Sequence, residues 1–144
     1  MAELHDATEE YLETILEIEE EGIPPIRARL VERLGISAPA VSETVNRLVE
    51  QGYAELLDDR SLRLTPKGRT LAVSIVRRHR LAERLFKDTF SIEDSEAHTQ
   101  ACKFEHIISP ELDQRICTFL GHPKTCPHGN PIPPGECCNG KSKA

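Results

Sequence analysis

Apolar residues recur at helical spacing along most of this chain and alternate at strand spacing in only one short stretch. Leu4, Tyr11, Leu12, Ile15, Leu16 and Ile18 predict a first helix over residues 4–21, stopped by Gly22 and Pro24-Pro25. Residues 26–34 predict a short amphipathic helix with Ile26, Leu30, Val31 and Leu34 inward. Gly35-Ile36 makes a tight turn. Ser37 is then placed to cap a further helix, with Pro39 in the first turn, where a missing N–H costs nothing. Val41, Val45, Leu48 and Val49 form the buried stripe of that helix. Residues 53–64 predict two short strands around Asp58-Asp59-Arg60. Two helices joined by a short Gly-containing turn and followed by a hairpin make a winged helix-turn-helix.

Helical spacing returns after the hairpin. Thr65 caps and Pro66 opens a helix through Leu71, Ile75, Val76, Leu81 and Leu85. Residues 91–96 break and recap the chain before a helix over 98–106. Ser109 then precedes another helix through Leu112, Ile116, Cys117, Phe119 and Leu120. Cys117 sits among apolar neighbours and reads as a small buried residue. Beyond Gly121 periodicity ends, and dense Pro and Gly predict a loop or tail over 122–144. Cys126, His128, Cys137 and Cys138 offer metal ligands there, but at no zinc-site spacing, and adjacent cysteines fit one tetrahedral site poorly. The expected fold is mainly α with a small β-wing. Residues 1–73 form the winged helix-turn-helix, 74–121 a second helical domain, and 122–144 the tail.

Charge changes this picture. The whole chain carries −6, yet the sign is unevenly spread. Residues 1–23 hold nine acids and no Lys or Arg, whereas residues 24–84 hold twelve bases against seven acids. The winged helix-turn-helix stretch is therefore locally basic, as a phosphate-binding face requires. Arg27, Arg29, Arg47 and the wing residues Arg60 and Arg63 form a plausible backbone-gripping set. Ser37, Pro39, Ala40, Ser42, Glu43 and Asn46 provide a groove-facing surface that is small at its start and polar beyond. A double-stranded DNA partner is expected.

One stretch carries chemistry that packing does not explain. In H-T-Q-A-C-K-F-E-H, residues 98–106, a helix would put His98, Cys102 and Glu105 on one face at i, i+4 and i+7. His106 lies i+4 from Cys102. Buried ionisable groups are costly unless paired or metal-bound, so a transition metal is the simplest reason for this set. His79 and Glu83 stand i, i+4 on the preceding helix, where a surface ion pair is the plainer reading. Glu10 and Glu13 on the first helix read either as a solvated acidic face or as two further ligands. Together these nitrogen, oxygen and sulfur donors suit one or two divalent first-row metal ions.

The ordered runs T-E-E-Y-L (8–12), R-A-R-L-V-E-R-L (27–34), S-A-P-A-V-S-E-T-V (37–45), D-R-S-L-R-L-T-P-K-G-R (59–69), R-R-H-R-L-A-E-R-L (77–85), C-K-F-E-H (102–106) and G-N-P-I-P (129–133) resemble the diphtheria-toxin-repressor family of iron- and manganese-dependent transcriptional regulators. The resemblance covers roughly residues 4–133. It implies that His79, Glu83 and His98 match an ancillary metal site. Cys102, Glu105 and His106, with Glu10, match the primary activating site. The helices after residue 66 match a metal-binding and dimerisation domain. It also implies Fe(II) or Mn(II) as the activating metal, with Zn(II) accommodated in vitro, and a homodimer on a palindromic operator. The iron-responsive branch usually has Met where Glu10 stands, and the manganese branch usually has Glu where Cys102 stands, so this set is mixed. Glu43 stands where some members have Gln, and the SH3-like domain of longer members has no counterpart in these 144 residues.

The expected mechanism is metal-gated DNA binding, with the cation drawing Glu10 to the Cys102, Glu105 and His106 set and so fixing the spacing of the recognition helices. An enzyme is not expected, since no Gly-rich phosphate loop or oxyanion arrangement accompanies the ligands and no small-molecule substrate is implied. A metal-independent or thiol-redox-responsive winged-helix regulator is the alternative. No apolar run long enough to span a membrane occurs, and five cysteines without a secretory signal predict a reducing, cytoplasmic setting.

Overall fold

The computed structural model describes residues 2–138. The chain divides into two compact units, residues 1–73 and 74–144, with the boundary inside one helix.

The first unit holds α1 (Ala2–Glu20), α2 (Arg27–Leu34), α3 (Ala38–Glu50), β1 (Ala54–Leu56), β2 (Leu62–Leu64) and the start of α4 (Pro66–Arg84). Local chemistry sets the helix ends. The α2 run stops at Gly35, whose φ of 65° lets its N–H turn back to the Val31 carbonyl at 2.9 Å. Ser37 then caps α3, its Oγ accepting from the Ala40 N–H at 3.3 Å. Thr65 Oγ1 likewise accepts from the Gly68 N–H at 3.1 Å and opens α4. Leu30, Val41, Val45 and Leu48 are buried, together with Ala54, Leu62 and Leu64 of the hairpin. Each large side chain so buried contributes about 2 kcal/mol. Val49, expected in that stripe, is 37% exposed. At about 100° per residue it lies well round the helix from Leu48, past the seam.

The wing pairs Ala54 with Leu64, Glu55 with Arg63 and Leu56 with Leu62, antiparallel. A third segment joins it. Ile26 bridges Ser61, and the Leu62 N–H donates to the Pro25 carbonyl at 2.8 Å. Ile26 is therefore extended, at φ −110° and ψ 160°, and α2 begins one residue later than its apolar pattern predicts.

The second unit holds the C-terminal half of α4, a π-helical turn at Leu85–Thr89, α5 (Asp94–Phe104), α6 (Pro110–Phe119) and a 3₁₀ turn at Glu136–Cys138. Ser109 caps α6 through the Leu112 N–H at 3.0 Å. The helix predicted over 98–106 runs instead from Asp94 to Phe104. Asp94 and Glu96 in its first turn suit the positive end of the helix dipole, which favours the earlier start.

Residues 122–138 form an irregular loop, as their composition predicts, but one packed into the core. Ile132 and Cys137 join Leu81, Ala82, Ala101, Ile108, Ile116 and Cys117 in one buried cluster. Proline-rich backbone keeps its carbonyls, and arginines of α4 satisfy them. Arg77 donates to Pro133 O at 2.9 Å, Arg80 to Pro131 O at 2.6 Å and Arg84 to Thr125 O at 2.8 Å. Residues 139–144 of the expected tail lie outside the described residues. Among the described residues, no helix is long and apolar enough to cross a membrane.

Candidate metal centre and nucleic-acid face

In the second unit α4 supplies His79 and Glu83, while α5 supplies His98 and Cys102. Glu105 caps the end of α5 with helical φ and ψ, and His106 follows in the turn. These six side chains form a continuous run of contacts. Cys102 Sγ lies 3.6 Å from His98 Nε2, and His98 Nδ1 lies 3.1 Å from Glu83 Oε2. Glu83 Oε1 lies 3.4 Å from His79 Nε2, and His79 Nδ1 lies 2.6 Å from Glu105 Oε1. Glu105 Oε2 is 3.5 Å from His106 Nε2. Glu83 and Glu105 are only 2% and 1% exposed, yet both meet imidazoles. Burial resists ionisation of Glu83, but the hydrogen bonds and charge of His79 and His98 outweigh it and hold the carboxyl below its usual range. Buried carboxylates with neutral-capable imidazole partners and a thiol at the rim fit a divalent first-row metal.

The shared face of His98 and Cys102 is present, and one donor group draws on both of the ligand sets that the resemblance implies. His79, His98 and Cys102 offer donor atoms within 4.8 Å of one another, whereas Glu105 is engaged by His79 and His106. Glu10, exposed, and Glu13, buried, lie on α1 in the first unit.

The sequence reading offered Cys126, His128, Cys137 and Cys138 as one set of possible ligands, and the structure divides them between two groups. His128 Nδ1 lies 3.5 Å from Glu83 Oε2, and Cys126 completes a donor group with these two. Cys137 and Cys138 lie elsewhere, with Cys117 and His122, in a separate group of four donors. Burial pushes the Cys117 thiol up to about 12. Cys138 is also pushed up by burial, but hydrogen bonds with Gly135, Cys117, His122 and Cys137 bring it down to about 7. The CPHG run, with His122 four residues before Cys126, was the available signal; contact with α6 was not readable from it.

In the first unit Ser37, Pro39, Glu43 and Asn46 are exposed on α3, and Ala40, Ser42 and Arg47 are half-buried. Arg27 donates to Asn46 Oδ1 at 3.2 Å, and Arg29 to the Pro24 carbonyl at 2.6 Å. Arg47 reaches Thr44 Oγ1 at 3.5 Å, and Arg63 spans the wing to Glu55 at 3.1 Å. Arg60 stands exposed at the wing tip.

Comparison with known proteins agrees with both halves. Residues 3–62 match the family model "Iron dependent repressor, N-terminal DNA binding domain". Residues 65–134 match "Iron dependent repressor, metal binding and dimerisation domain". The iron-dependent repressor IdeR of Mycobacterium tuberculosis is 49% identical over 133 residues, which are 92% of this chain and 58% of that protein. The diphtheria toxin repressor of Corynebacterium diphtheriae is 48% identical, over 92% of this chain and 59% of that protein. A solved manganese-dependent transcriptional repressor in complex with manganese superposes with a TM-score of 0.82 at 36% identity, covering 88% of this chain and 58% of that one. The chain thus spans less than two thirds of these relatives' length. With a winged helix-turn-helix in one unit and a buried imidazole-carboxylate run in the other, it belongs to the iron-dependent repressor family.

Proposed function

We propose that this protein is a metal-dependent transcriptional repressor that binds a palindromic operator as a homodimer when loaded with Fe(II) or Mn(II). It controls metal-homeostasis genes in the cytoplasm and acts as a regulator rather than an enzyme. The observation that carries the reading is the run from Cys102 through His98, Glu83, His79 and Glu105 to His106, in which buried carboxylates meet imidazoles. His79, Glu83 and His98 would hold one ion, with His128 and Cys126 beside them, and Cys102, Glu105 and His106 another. Such a cation would add its positive charge to that of the imidazoles in compensating two buried carboxylates. Glu10 and Glu13 enter the ligand set on the sequence reading, with the resemblance supporting Glu10.

DNA would be read by the exposed face of α3, from Ser37 to Arg47, with Arg60 and the α2 arginines Arg27 and Arg29 on the phosphates. Self-association is supported by Phe90, Ile107, Leu112 and Phe119, large apolar side chains left exposed in the second unit.

The test is anaerobic binding to palindromic operator-like DNA by fluorescence anisotropy, titrated with Fe(II), Mn(II) and Zn(II), and repeated with Glu10→Met. Tight binding only with metal is expected, and the order of the metals identifies the signal. Equal affinity with and without every metal would overturn the proposal.

A further inference from the structure

Cys117, His122, Cys137 and Cys138 lie in the second unit away from the residues assigned above, and each offers one soft or borderline donor. The Cys117 and Cys138 sulfurs are 3.6 Å apart, and those of Cys137 and Cys138 are 3.8 Å apart. His122 Nδ1 is 3.4 Å from Cys117 Sγ and 3.5 Å from Cys138 Sγ. All four donor atoms fall within 4.8 Å of one another. A tetrahedron with zinc bond lengths of about 2.3 Å to sulfur and 2.0 Å to nitrogen has S–S edges of about 3.8 Å and S–N edges of about 3.5 Å. The four distances above match it. A disulfide does not account for the approach, because its sulfurs stand about 2.05 Å apart, and all five cysteines are free.

We propose that Cys117, His122, Cys137 and Cys138 form a structural Cys₃His zinc site, separate from the regulatory metal centre. Three elements meet there. Cys117 comes from α6, His122 from the turn that follows it, and Cys137 and Cys138 from the 3₁₀ turn that ends the described chain. Adjacent cysteines fit one site here because that turn sets their sulfurs 3.8 Å apart. Closing the site ties residues 122–138 back onto α6, where Ile132 and Cys137 already fill the core.

The surroundings suit a thiolate-rich ion. Three thiolates around Zn(II) leave a net negative charge, and Arg77 Nη2 donates to Cys137 Sγ at 3.4 Å. Gly135 makes room for this guanidinium, since a Cβ there would lie 2.6 Å from Arg77 Cζ. Arg77, His122, Pro123, Lys124 and Cys138 line an open cleft that gives an entry path. Three sulfurs also favour zinc over the iron or manganese that imidazole and carboxylate accept.

The test uses the full chain, purified under reduction in a Cys102→Ser, Cys126→Ser background that removes the thiols placed at or beside the other centre. After gel filtration against a mild chelator, metal content is measured and Co(II) is exchanged in. About one zinc per chain should be retained. The cobalt form should show the strong visible bands and sulfur-to-cobalt charge transfer of tetrahedral thiolate coordination. Adding Cys138→Ser should remove the charge-transfer intensity and the retained zinc, and His122→Ala should weaken retention with the thiolate bands shifted. No retained zinc in the reduced parent, or a weak octahedral cobalt spectrum, would overturn the site. Those parent measurements decide the question even if a variant fails to fold. A spectrum indifferent to Cys138→Ser overturns it equally.

Discussion

His79 and Glu105 share a hydrogen bond of 2.6 Å between Nδ1 and Oε1, while the other ring nitrogen of His79 faces Glu83 at 3.4 Å. One imidazole therefore connects the two ligand groups that the family resemblance assigns to separate ions. A second-sphere partner of this kind typically tunes metal affinity by about 10–100-fold. His79→Ala should weaken both binding events by about tenfold or more, read by anaerobic calorimetry with Mn(II). Loss confined to one event would show that the two groups act independently.

The legible parts of this chain are those decided within a few residues. Ser37, Thr65 and Ser109 cap helices because a side-chain oxygen and the N–H three residues on must meet whatever else happens. The wing was equally plain from its alternation. The Ile26 bridge to Ser61 was not, because it joins residues 35 positions apart and overrides a helical pattern. Residues 122–138 read as a loop or tail because prolines and glycines carry no periodicity; what packs that loop is arginines on α4, up to 56 residues away in sequence. Cys117 is buried in the apolar cluster as its neighbours predict; its place beside His122, Cys137 and Cys138 was not readable from them.

Gly68 is fixed by its neighbour across the wing. A Cβ there would lie 1.9 Å from the Tyr53 carbonyl oxygen, a backbone atom that also accepts from the Thr65 N–H at 3.1 Å. Gly→Ala inside a helix ordinarily gains up to about 1 kcal/mol. Here the clash must move backbone, and Gly68→Ala should cost about 2 kcal/mol in urea unfolding. A stabilised variant would contradict the close approach.

Arg60 holds a left-handed φ of 69° at the wing tip, where a side chain is strained by about 1 kcal/mol. Arg60→Gly should raise the melting temperature by about 4 °C. It should also lower operator affinity and reduce the slope of log affinity against log salt by about one. Arg60→Lys should keep the strain and the slope. If Arg60→Gly leaves DNA binding and its salt dependence untouched, the wing does not grip phosphate.

Glu43 is exposed on α3, between Ser42 and Asn46 on the face proposed to enter the major groove. A carboxylate there repels phosphate unless it accepts from a cytosine amino group. Glu43→Gln should therefore raise affinity for random duplex, and shift preference at one operator position by about 1–3 kcal/mol. Binding selection with both proteins reads the two effects together. An unchanged preferred sequence and unchanged nonspecific affinity would place Glu43 outside the interface.

Arg77 joins three segments of the second unit. Its Nε lies 3.2 Å from Asp113 Oδ1, Nη1 donates to the Pro133 carbonyl at 2.9 Å, and Nη2 donates to Cys137 Sγ at 3.4 Å. Arg77 and Asp113 are 5% and 6% exposed. Removing one partner of a buried pair leaves the other charge uncompensated, at a cost of about 3–5 kcal/mol. Arg78 Nε, 3.6 Å from Asp113 Oδ2, offsets part of that. Arg77→Ala should therefore cost about 3 kcal/mol and loosen residues 122–138, seen as faster amide exchange at Ile132. Arg77→Lys should not rescue it, because a single ammonium cannot reproduce a planar fork that reaches α6, Pro133 and Cys137 at once. If the lysine variant is as stable as the parent, the charge alone matters and the three-way anchoring is not what holds this segment.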